Sequence, residues 1–175
     1  LKDVSKFWEQ VIKINDWQQN RISHLVVKKL FGTISSKKIA ILGFAFKANT
    51  NDSRESPAIQ ICKNLLEEGA NIHIYDPKVN INQIAKDLEC PQDQNIENQD
   101  QNGSWNYSNS LIDATKGADA ILILTEWEEF KLINWKEISK NMRFPCWLFD
   151  ARLITNSAEA KANGINVWCI GQGEI

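Results

Sequence analysis

The sequence carries no excess of charge of either sign: Lys+Arg is 20 and Asp+Glu is 22, a formal net charge of −2. Such a balance gives the chain no general attraction to nucleic acid or to an anionic membrane surface. Only a local cluster of Lys or Arg could hold a small phosphate ligand. Long apolar runs are lacking as well. The longest clean one, Ile39 to Phe46, falls far short of the ~20 residues that cross a bilayer. The four cysteines, Cys62, Cys90, Cys146 and Cys169, form no C-x-x-C pair, so the usual zinc and redox spacings are missing. Cys62, Cys146 and Cys169 sit among apolar residues, as small core residues do. Reduced thiols and a cytoplasmic setting are therefore expected. His24 and His73 have no neighbouring Cys, Asp or Glu pattern that would make a metal site or a triad. No G-x-G-x-x-G occurs either, which excludes the dinucleotide fingerprint. The N-terminus, Leu-Lys-Asp-Val, has no initiator Met and no signal-peptide pattern, so the chain reads as the middle of a longer protein.

What is present is ordinary for a soluble globular domain: 43% apolar and 24% charged residues over 175 positions. That composition excludes collagen-like, coiled-coil-only and wholly disordered chains. The length suits one domain, or one domain with a small appendage. The seven Trp are scattered over different segments, as core and interface anchors rather than a stacking platform for single-stranded nucleic acid.

Apolar residues recur at helical spacing at Val4, Phe7, Trp8, Val11 and Ile12, and again at Ile22, Leu25, Val26 and Leu30. Residues 3 to 31 therefore read as one long helix, or as two meeting near Asn15 with Asp16 as an N-cap. Its apolar stripe either packs on its own domain or serves as a connector at a domain or subunit interface. Next comes an apolar strand within residues 37 to 43. A helix opens at Ser56-Pro57, and a second strand at 71 to 75 is closed by Asp76-Pro77. This is a βαβ unit. Short helices at 81–88, 108–116, 126–130, 134–142 and 157–163 are expected. Further strands are expected at 119–125, 146–150 and 165–170. The polar run from Gln92 to Asn102 reads as a flexible insertion. Strands alternating with helices predict an α/β, Rossmann-like doubly wound parallel sheet of five strands, preceded by the long helix.

In such sheets ligands sit at the carboxyl ends of the strands. Two loops there carry suitable residues. The first runs from Gly43 to Ser56 into a helix N-terminus and bears Lys47 and Arg54. It either holds a phosphate or diphosphate or merely pairs its cations with Asp52 and Glu55. The second is Phe149-Asp150-Ala151-Arg152-Leu153. Its Arg152 either clamps a phosphate or carboxylate or pairs with Asp150 or a helix end.

Four blocks in fixed order carry a resemblance: Gly43-x-x-Phe46-Lys47-x-Asn49-Thr50-x-Asp52-x-Arg54-x-Ser56-Pro57-Ala58, His73 to Val79, Thr125-Glu126-Trp127-x-x-Phe130, and Phe149-Asp150-x-Arg152. Together they resemble the UDP-glucose/GDP-mannose dehydrogenase family, and most closely its branch acting on UDP-glucose. The resemblance implies that residues 1–34 end a central helical dimerisation region. It makes residues 35–175 a UDP-glucose-binding C-terminal domain with an insertion at about 91–104. It implies that Phe46, Lys47 and Arg152 bind the substrate and that Arg54 reaches NAD. The implied reaction oxidises UDP-glucose to UDP-glucuronate in two NAD-reducing steps. The NAD domain and the catalytic cysteine would lie upstream, so these residues alone are expected to be inactive. A homodimer or higher homo-oligomer through the N-terminal helix is implied as well, and Lys29 to Thr33 matches a stretch tied to assembly. Alternatives are a sister enzyme acting on GDP-mannose or a UDP-N-acetylhexosamine, or a non-catalytic nucleotide-binding or assembly module.

Overall fold

The computed structural model describes residues 2–92 and 103–172. Helix α1 (Lys2–Lys29) leads into strand β1 (Lys38–Leu42), α2 (Pro57–Glu67), β2 (Asn71–Tyr75) and α3 (Ile81–Leu88). Then follow β3 (Ser104–Tyr107), α4 (Leu111–Thr115), β4 (Ala120–Ile123), α5 (Glu128–Lys131), α6 (Trp135–Asn141), β5 (Trp147–Asp150), α7 (Ser157–Ala162) and β6 (Asn166–Cys169). The strands make one six-stranded sheet in the order β3-β2-β1-β4-β5-β6. Every pairing is parallel. This is the doubly wound fold anticipated from the alternation of strands and helices.

Burial on both faces explains why β1 and β4 read as unbroken apolar runs. Ile39 to Leu42 and Ala120 to Ile123 are all buried. The half-buried β2 alternates instead, with Ile72 and Ile74 inward. Its neighbour β3 is a sixth strand beyond the five expected from the sequence. Only Trp105 of its four residues is buried, so no apolar run announces it. The insertion expected at about 91–104 is correspondingly shorter at its far end, because Gly103 N–H bonds the Leu66 carbonyl (2.7 Å) and Ser104 already belongs to β3. The rest of that insertion, residues 93–102, lies outside the described residues.

The first helix is single, and Asp16 lies inside it rather than capping a second one. Its two halves differ. Ile22, Leu25 and Val26, with Leu30 just past the helix end, are buried in the domain core, and Asn64 of α2 donates to Asn20 Oδ1 (2.8 Å) and Ser23 Oγ (3.1 Å). The other half leaves Phe7, Trp8, Ile12, Ile14 and Trp17 exposed. Those positions step around the helix instead of forming one stripe. No described helix is long and apolar enough to cross a membrane.

Candidate functional site

The strand order reverses between β1 and β4, and the loops leaving β1, β4 and β5 meet there. Gly43 makes the meeting possible. Its φ is +91°, and a Cβ at that position would lie 2.5 Å from Thr125 Cβ and 2.8 Å from Thr125 N. Thr125 then donates its hydroxyl to the Ala45 carbonyl (2.7 Å), tying the β4 exit to the β1 exit.

Two buried carboxylates hold the loops. Asp76, at the end of β2, accepts from Phe44 N (2.7 Å), Ala45 N (3.0 Å) and the Trp127 indole (3.1 Å) through Oδ2. Its Oδ1 accepts from Lys78 N and Val79 N, both at 2.9 Å. Asp150, at the end of β5, accepts from Arg152 N (2.9 Å), Ile154 N (3.0 Å), Thr155 N (2.8 Å) and the Thr155 hydroxyl (2.6 Å). A buried carboxylate with this many donors is satisfied without a counter-ion. Each fixes the turn that follows a strand.

These loops and α1 enclose a hollow of about 530 Å³. Phe46, Glu55 and Pro57 line it from the β1 side, Leu124 from β4, and Ala151 and Arg152 from the β5 loop. Ile12, Asn15, Gln18 and Ile22 form the α1 wall. Phe46 is 49% exposed at its mouth. Arg152 donates Nε to the Leu124 carbonyl (2.7 Å), and the same nitrogen lies 3.5 Å from Glu126 Oε2. Glu126 Oε1 in turn accepts from Ala48 N (3.4 Å), bridging the two loops. The Nη groups of Arg152 carry no hydrogen bond among the described residues. An aromatic face, a guanidinium and two amides around an apolar floor are suited to a polar, anionic, sugar-bearing ligand.

The candidates read from the sequence divide as follows. Phe46 and Arg152 come together in the hollow, whereas Lys47 adjoins Phe46 but is not among the lining residues. Arg54 pairs with Asp52: its Nη2 lies 2.7 Å from Asp52 Oδ2, at 85% side-chain exposure. The hydrogen bond and charge of Arg54 hold the Asp52 carboxyl down at about 2. Arg152 does not pair with the Asp150 carboxylate, which takes its backbone N–H instead. The α1 wall went unread in the sequence. Its signal is a pair of amides, Asn15 and Gln18, between Ile12 and Ile22 on one helical face.

Three cysteines are unsuited to nucleophilic work. Burial pushes the Cys62, Cys146 and Cys169 thiols up. Burial, with Lys38 nearby, lowers His73 to about 4. Among the described residues no group of three or more His, Cys, Asp or Glu could hold a metal ion.

Fold and hollow define a doubly wound α/β ligand-binding domain with its ligand hollow at the switch point. The chain belongs to the UDP-glucose/GDP-mannose dehydrogenase family: residues 40–157 match that family's UDP binding domain. It is 43% identical to UDP-glucose 6-dehydrogenase 4 of Arabidopsis thaliana, over 98% of this chain and 37% of that protein. UDP-glucose 6-dehydrogenase 1 of Glycine max matches at 43% identity over the same shares. The chain thus spans little more than a third of the length of these relatives. Among solved structures, a UDP-D-ManNAc dehydrogenase from Pyrococcus horikoshii shares 28% identity at a TM-score of 0.69, covering 93% of this chain and 33% of the other. A UDP-glucose dehydrogenase from Pyrobaculum islandicum shares the fold at a TM-score of 0.65, with 21% identity and coverage of 90% and 30%.

Proposed function

We propose that the chain is the UDP-sugar-binding part of an NAD-dependent UDP-glucose 6-dehydrogenase, which converts UDP-glucose to UDP-glucuronate in the cytoplasm. The observation that carries this reading is the hollow joining Phe46 to Arg152 within a UDP binding domain. The names of the 43% identical relatives favour UDP-glucose over other nucleotide sugars.

In this reading Arg152 neutralises diphosphate or sugar oxygens as a bidentate donor. Its Nε contacts to Leu124 and Glu126 set the plane of the guanidinium. Phe46 packs against the nucleotide sugar. Lys47, at the exposed loop tip, adds a second cation once the ligand bridges the mouth. Ser56 caps α2 by accepting from Ala58 N (3.3 Å), so the first turn of that helix adds its partial positive charge beside the hollow.

NAD, when bound, supplies the hydride acceptor. The residues here do not build a dinucleotide site of their own, for lack of the glycine fingerprint. One of them fits a contributing role. Arg54 is exposed, and its Nη1 carries no hydrogen bond among the described residues, so it is free to meet an anionic group of a dinucleotide held by an N-terminal half of the protein. The 175 residues alone lack hydride-transfer activity, since Cys62, Cys146 and Cys169 are buried and Cys90 does not line the hollow. The exposed half of α1 carries five large apolar side chains, Phe7, Trp8, Ile12, Ile14 and Trp17, interspersed with Lys6, Glu9 and Lys13, a mixture that fits an interface. It joins the N-terminal half and a second copy in a homo-oligomer, with residues 1–34 as the helical region and 35–175 as the nucleotide-sugar domain.

The test is substitution in the full-length protein. Lys47→Ala and Arg152→Ala are each expected to raise the KM for UDP-glucose by about tenfold or more. Unchanged values for both would remove the assignment. A Gly-rich motif containing Cys, with Lys-Asp after it, upstream of residue 1 favours the enzyme over a non-catalytic module.

A further inference from the structure

The tip of the loop after β1 is held more firmly than its exposure explains. Arg54 donates Nε to Asp52 Oδ1 (2.9 Å) and Nη2 to Asp52 Oδ2 (2.7 Å), and Oδ1 also accepts the Arg54 backbone N–H (3.0 Å). Between these two residues, Ser53 is buried and donates its hydroxyl to Asp87 Oδ2 on α3 (2.5 Å). Gln83, one turn earlier on α3, donates to Asp87 Oδ1 (2.8 Å) and fixes that carboxylate. The Ser53 and Asp52 carbonyls accept from Ser56 N (3.0 Å) and Phe46 N (2.9 Å).

An exposed ion pair contributes little to stability and costs side-chain freedom. Its other consequence is directional. Both sides of the Asp52-Ser53-Arg54 turn are pinned, and the fork leaves the Nη1 edge of the guanidinium without a partner among the described residues. A donor already ordered loses less entropy when an anion arrives.

We infer that Asp87 and Ser53 are positioning residues that, through their mutual hydrogen bond, hold the turn bearing Arg54 toward a phosphate oxygen of the dinucleotide. The inference rests on the reading of Arg54 as a dinucleotide contact and adds two residues that act through it. Asp87 lies on α3, outside all four sequence blocks.

The experiment measures NADH binding to the full-length protein by fluorescence titration, beside the KM for UDP-glucose. Arg54→Ala is expected to weaken NADH by about tenfold. Asp87→Ala and Ser53→Ala should each weaken it by about three- to tenfold, with the KM for UDP-glucose moved by less than about twofold. Asp87→Asn keeps an acceptor for the Ser53 hydroxyl and should restore most of the affinity. Ser53→Ala combined with Arg54→Ala should be no weaker than Arg54→Ala alone. Ser53→Ala is the smaller change and decides the matter if Asp87→Ala does not fold. Additive losses, or equal losses for NADH and UDP-glucose, would reduce Asp87 to a structural residue and overturn the inference. An Arg54 effect with none from Ser53 or Asp87 would overturn it while leaving the reading of Arg54 intact. No effect from Arg54→Ala would sink both.

Discussion

Gly43 is the residue on which the loop crossing depends. Its left-handed φ and the 2.5 Å approach to Thr125 leave no room for a side chain. Gly43→Ala should destabilise the domain by about 2 kcal/mol or more, read as a lower urea midpoint. An unchanged midpoint would mean that the two loops separate freely. His73 gives a pH signature. Its value in the folded chain is lowered to about 4 from an ordinary 6.5, burial being the larger cause and Lys38 the lesser. Below 6.5 the unfolded chain takes up a proton that the folded chain refuses, so stability falls as the pH drops from 6.5 toward 4. A His73→Gln variant should show a flatter stability profile over that window, and parallel profiles would contradict the assignment. Arg152 was legible because loop position and charge marked it, and Phe46 only through the family blocks. Asp76 was not legible as a loop anchor. Three of its five donors, Phe44, Ala45 and Trp127, lie on the β1 and β4 exits, and only the folded chain brings them to it.

Among the elements, the buried central strands were plain in the sequence because burial on both faces leaves an apolar run. The edge strand β3 was hidden for the opposite reason. Ser104, Asn106 and Tyr107 are only partly buried, and the strand is four residues long. The shorter span of α4, Leu111–Thr115 against an expected 108–116, follows from Ser110 acting as the N-cap by accepting from Asp113 N (3.1 Å). The periodicity of α1 was clear, but its division of labour was not. Its C-terminal half is core, while its N-terminal half exposes Phe7, Trp8, Ile12, Ile14 and Trp17. Exposed apolar surface of this kind favours association in water. Sedimentation of the 175-residue chain should find dimers that Trp8→Lys combined with Trp17→Lys turns into monomers. A monomer of the unaltered chain at high concentration would contradict association through α1.

For the whole molecule, the switch point places three loop ends around one hollow, and α1 closes it. The general place of the site follows from topology alone. Its far wall does not, because no spacing rule links Asn15 and Gln18 to Arg152, more than 100 positions later. The thiols offer a check on the molecule as a unit. Cys62, Cys146 and Cys169 are buried and Cys90 only partly so, so one thiol should label quickly under native conditions and four after unfolding. Fast labelling of more than one would mean that the core opens. The most direct test of the central claim is calorimetric titration of UDP-glucose into the full-length protein and into its Lys47→Ala/Arg152→Ala double variant. Affinity is expected to fall by about a hundredfold, two charge-assisted contacts being lost together. Equal affinity in the two proteins would show that the nucleotide sugar is held elsewhere.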